Sequence, residues 1–247
     1  MDFLVVTSVV DWVSAQKSKP NYGVQTMANT HESFYKEICK YITGEVSIEN
    51  EFLENKYLET LAWAWTEFHD TDLPKDTRGK FISEYWSEKA LMFLSKKLNG
   101  PMVVDDYKNS TISTLEIPFS LVSYRMPGLH AEHVITKSLF METMKELKDE
   151  RKGVPEKLKR ALEKRFFSCV ITSSEAKDLG NEPYDGQSKN ILDDGFKCWY
   201  RYCRHNELPK DKIEDTIIVY KCNISYKKHG IGHRWLVSID HMVNLKE

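Results

Sequence analysis

The stretch Met126-Pro127-Gly128-Leu129-His130-Ala131-Glu132-His133-Val134-Ile135 is where the character of the chain turns. Its adjacent proline and glycine are the punctuation of a turn. Upstream, Thr111 to Tyr124 sets Thr, Ile, Leu, Val and Phe between polar residues, which predicts β structure. Downstream, Val134, Ile135, Leu139, Met141 and Leu147 supply the apolar positions of a helix expected from about Leu129 to Lys148. The passage therefore reads as strand, turn, helix, and it sets a mixed layout for the second half of the chain.

Toward the N-terminus the reading is helical. Ser33 to Cys39 and Tyr57 to Trp65 place apolar residues at helical spacing. A third helix is expected over Ile82 to Leu98, with Tyr85, Trp86, Leu91, Met92, Leu94 and Leu98 on its apolar face. Asn99-Gly100-Pro101 stops it, because a left-handed cap is followed by a residue that cannot continue a helix. Met102-Val103-Val104 begins the β-rich part.

Toward the C-terminus, Pro155 fits the start of a charged helix over Glu156 to Lys164. Phe166 to Thr172 reads as a buried strand, and the polar segment Ser173 to Gly195 as a long loop. A short aromatic helix follows at Lys197 to His205. Thr216 to Tyr226 and Trp235 to Val243 flank His229-Gly230-Ile231-Gly232 and predict an antiparallel hairpin. The expected fold class is α+β: a helical N-terminal region packed on a mixed β-sheet with helices, ending in that hairpin. The expected division is a helical region over 1–99 and an α+β core over 100–247, or one continuous domain.

With 247 residues, 41% of them hydrophobic, the chain can bury a sizeable core. Its 35 Lys and Arg against 37 Asp and Glu leave a net charge of -2, so no global field holds a polyanion. A nucleic-acid contact would need a local patch, for which Lys227, Lys228, His229, His233 and Arg234 are the candidates. The five cysteines are odd in number and fall on expected helices and strands, which favours reduced thiols or metal ligands over a disulfide framework. No secretory signal and no membrane-spanning run is read, so the expected compartment is cytoplasmic or nuclear, with no membrane partner.

The chemistry centres on His130-Ala131-Glu132. In the first turn of a helix, a histidine and the glutamate two residues on can both reach one site. That pair suits a zinc-activated water: the ring nitrogen binds the metal and the carboxylate moves the proton. Further ligands would come from Cys198 and Cys203, which flank Trp199-Tyr200-Arg201-Tyr202. H-x-E is a short pattern, and His205-Asn206-Glu207 repeats it.

These motifs, in this order, resemble the zinc-dependent nucleoside and nucleic-acid deaminases, which pair H-x-E at the start of one helix with P-C-x-x-C at the start of another. The resemblance covers roughly the last 150 residues. Lys197 stands where the family has proline, the cysteines are more widely spaced, and Ser173-Ser174-Glu175 occupies the usual cysteine position after the strand. The resemblance implies His130, Cys198 and Cys203 as zinc ligands and Glu132 as the proton shuttle. It implies hydrolytic deamination of a cytidine or adenine base, free or in single-stranded nucleic acid. Trp199, Tyr200 and Tyr202 would then stack on the base. The other reading is a non-catalytic interaction protein, a degenerate scaffold, viral or host-directed, that binds a protein partner.

Overall fold

In the computed structural model, the structure describes residues 31–67, 83–98, 114–118, 126–180, 188–211, 215–229 and 232–246. Their elements run α1 (His31–Ile42), α2 (Glu51–Glu67), β1 (Tyr85–Ser87), α3 (Glu88–Leu98), β2 (Thr114–Pro118), β3 (Leu129–His133), α4 (Lys137–Glu150), α5 (Leu158–Arg165), β4 (Ser168–Thr172), α6 (Ser173–Leu179), α7 (Tyr200–Asn206), β5 (Val219–His229) and β6 (Gly232–Met242). The protein is α+β, and its C-terminal strands β5 and β6 pair antiparallel. The expected strand at 102–104, the stop at 99–101 and the hairpin tip at Gly230-Ile231 lie outside the described residues.

Two compact units interleave along the chain. One takes its described residues from 31–67, 137–165 and 188–196. It is helical. Phe34, Ile38, Tyr41 and Ile42 form one buried stripe of α1, and Tyr57, Leu58, Leu61 and Trp65 are buried on α2. The partly buried Glu54 accepts from Tyr41 Oη at 2.9 Å and from Lys148 Nζ at 2.6 Å, joining α1, α2 and α4 through one carboxylate. Leu158, Ala161 and Leu162 bury the apolar side of the charged helix α5.

The second unit takes its described residues from 83–98, 114–136, 166–180 and 197–246, and holds all six strands. Their order is β2-β6-β5-β1-β4-β3. The neighbours β1 and β4 are parallel, and the other neighbours are antiparallel. The short strand β1 is the keystone: Trp86 lies opposite Val170 of β4 on one side and Tyr220 of β5 on the other. In this grouping β1 and α3 belong with the sheet, and α4 and α5 belong with the helical unit.

Three segments depart from their sequence reading. Residues 85–87 form a strand, and the helix expected from Ile82 starts only at Glu88. The hydroxyl of Ser87 accepts from Ala90 N at 3.1 Å, which is an N-cap bond. The expected loop after Thr172 opens instead with α6, whose first turn is closed by a capping box. Thr172 Oγ1 accepts from Glu175 N, and the Glu175 carboxylate accepts from Thr172 N.

The third departure moves the candidate site. Leu129 to His133 is a strand, and the helix begins at Lys137. Leu, Ala and Glu favour helices locally, but β4, buried at every residue except Thr172, offers a ladder on its flank. Gly128 O accepts from Ser173 N at 3.0 Å and Val134 N donates to Phe167 O at 3.1 Å, so both ends of β3 are fastened to the β4 segment. Gly128 makes the entry: its φ is +95°, and an added Cβ would come within 2.6 Å of the Phe93 ring.

Candidate functional site

On a strand, residues two apart share a face. That is why His130 and Glu132 meet: His130 Nε2 lies 3.1 Å from Glu132 Oε2. Across the ladder they sit opposite Ile171 and Cys169. The same face carries a buried cluster that includes Val134, Cys169, Ile171, Trp199, Tyr202 and Val219. Helix α7 supplies Tyr202 to this cluster and Arg201 to its polar edge.

Arg201 was not a candidate in the sequence, and it dominates the site. Its side chain is 1% exposed and that of Glu132 is 16% exposed. Arg201 Nη1 donates to Glu132 Oε1 at 3.0 Å and to His133 O at 3.1 Å, and Nη2 donates to Gly180 O. One guanidinium therefore binds α7 to β3 and to the end of α6. Burial pushes the Glu132 carboxyl up, but the hydrogen bond with His130 and the adjacent Arg201 charge outweigh it and hold the group below the usual carboxylate range. A carboxylate so held stays ionised at neutral pH and is poorly matched to carrying a proton back and forth.

The cysteines fall elsewhere. Cys198 precedes α7 and packs half-buried against the apolar cluster. Cys203 lies two residues after Arg201, about 200° around the helix, so it faces away when Arg201 faces β3. Its thiol donates to Glu207 Oε1 at 3.6 Å. Burial pushes that thiol up, and Glu207 adds to the shift, both opposing the thiolate a metal requires. Among the described residues, no three His, Cys, Asp or Glu side chains are grouped to hold a metal ion. The arrangement does not fit zinc held by His130, Cys198 and Cys203 with Glu132 free beside it.

The aromatic platform is also enclosed. Trp199 is 5% exposed and Tyr202 is 0% exposed, with their rings edge to face at 5.2 Å. Trp199 further packs on Tyr85 and Phe167. Tyr200 is half-buried. In the repeated triplet, His205 is buried with Nε2 3.3 Å from Asp215 O, while Glu207 pairs with Arg204 at 2.5 Å. The side chains of Lys227, Lys228, His229 and His233 lie outside the described set.

A second buried carboxylate also escaped the sequence reading. Glu175, 4% exposed, accepts from Ser87 Oγ at 2.7 Å and from Thr172 Oγ1 at 2.9 Å, tying α6 to the start of α3. The signal was present as T-x-x-E over 172–175. Among the described residues, no helix is long and apolar enough to cross a membrane. Compared with models of protein families, with curated proteins and with solved structures, the chain has no match, and its resemblance to the deaminases rests on the quoted residues alone.

Proposed function

We propose that this protein acts by binding a protein partner, not by deamination at a zinc ion. One observation carries the reading: the carboxylate that deaminase chemistry needs free, Glu132, is committed to the buried guanidinium of Arg201. The pair fastens α7 to β3, which is scaffold work. The enclosed faces of Trp199 and Tyr202 agree, since a base has no access to stack on them.

The test sets metal and activity against stability. Protein purified without chelators is analysed for zinc and assayed on cytidine, adenosine and single-stranded oligonucleotides. The expected result is no stoichiometric zinc, no deamination, and a Glu132→Gln variant that melts well below the parent. Native mass spectrometry of the protein taken from its own cells is expected to retain a protein partner at fixed stoichiometry. Deamination abolished by Glu132→Gln at an unchanged melting temperature would sink the reading.

A further inference from the structure

A cavity of about 400 Å3 opens in the strand-bearing unit, between the end of α7 and the tail that leaves β6. Its size lies in the range that small ligands occupy. The walls are held in place. Val243 N donates to Val219 O at 2.8 Å, and Lys246 N donates to Asn244 Oδ1 at 3.2 Å, which folds the tail into a turn. On the other side, Asn206 exchanges two bonds with the backbone of Ile217, at 2.9 and 2.7 Å.

The lining has two chemistries. Met242, Val243 and Leu245 form an apolar wall, and Met242 is 58% exposed. The polar groups of the lining are mostly occupied. Asn206 is bound to backbone, and the Glu207 carboxylate holds Arg204 at 2.5 Å and the Cys203 thiol at 3.6 Å. Lys246 is exposed at the rim and forms no ion pair with a carboxylate among the described residues. An apolar wall beside an exposed ammonium selects a molecule with an apolar body and an anionic end.

We propose that this cavity binds a small amphipathic carboxylate, its chain along Met242, Val243 and Leu245 and its anionic group at Lys246. Cys203 lines the same space and reports on its occupancy.

The full-length protein is titrated calorimetrically with decanoate, decanol and decylamine below their aggregation concentrations. In parallel, alkylation of Cys203 by iodoacetamide is followed by peptide mass spectrometry, with Cys198 as the internal reference. Decanoate is expected to bind at one site and to slow labelling of Cys203 but not of Cys198. Lys246→Gln should weaken decanoate several-fold, the modest effect of an exposed charge, and Leu245→Asp should abolish binding. The proposal is overturned if decanoate does not bind, or if it binds without protecting Cys203. Equal binding of decanol, or tighter binding of decylamine, would also overturn it, since the cavity would then be reading the chain alone or Glu207.

Discussion

Arg201 shows how one side chain can redirect a functional reading. A buried guanidinium left without its carboxylate is strongly destabilising, because its desolvation is no longer offset. Glu132→Ala is therefore expected to lower stability by about 3 kcal/mol, measured by urea unfolding, and Arg201→Ala by a similar amount. The double replacement Glu132→Leu with Arg201→Met should lose much less than the sum, because no charge is then stranded. The pH dependence follows from the sign of the shift. The Glu132 carboxyl titrates lower in the folded state than in the unfolded chain, so its contribution is fully present above the unfolded value, about 4.3, and is lost as the pH falls through the folded one. Unfolding midpoints between neutral pH and about pH 3 should fall more steeply for the parent than for Glu132→Gln. Equal slopes would mean that His130 and Arg201 do not hold this carboxylate down.

The elements explain what was legible and what was not. Segments with a clear apolar pattern read correctly: α1, α2, α5, β4 and the β5–β6 pair all follow patterns that their own residues dictate. The segment that carries the candidate residues departs from its reading in secondary structure. Leu129-His130-Ala131-Glu132-His133 contains good helix formers, and its strand state comes from β4, some forty residues away in sequence, which no local window includes. The starts of α3 and α6 were legible and needed only their caps: Ser87 before Glu88, and Thr172 three residues before Glu175. Those caps also share a buried carboxylate, since Glu175 accepts a hydrogen bond from the Ser87 hydroxyl. Thr172→Ala is expected to cost about 1 kcal/mol, the usual loss of an N-cap. Ser87→Ala should cost more, roughly 2 kcal/mol, because it removes a cap and leaves Glu175 short of a donor. Thermal melts give the totals. Amide exchange at Glu175 gives the local effect and should speed up most in Thr172→Ala.

At the scale of the molecule, the sequence suggests a cut near residue 100, yet the sheet is closed by a strand that precedes it. In the order β2-β6-β5-β1-β4-β3, β1 alone joins the antiparallel group β2-β6-β5 to the pair β4-β3. It contributes few residues, but Trp86 is completely buried among them, and α3 directly after it buries Ala90, Leu91 and Leu94. A fragment of residues 100–247 keeps five of the six described strands and loses β1 from between β5 and β4. The edges of β5 and β4 would then present unpaired backbone groups, and the apolar surface that met Trp86 and Leu91 would face water. That fragment is expected to lack a cooperative urea transition and to give poorly dispersed amide resonances, although it contains His130, Glu132, Cys198 and Cys203. A fragment of residues 80–247 restores β1 and α3 and should recover dispersed resonances for β3, β4, β5 and β6. A cooperative transition in the shorter fragment would show that the sheet can close without Trp86, and the division near residue 100 would then be the physical one.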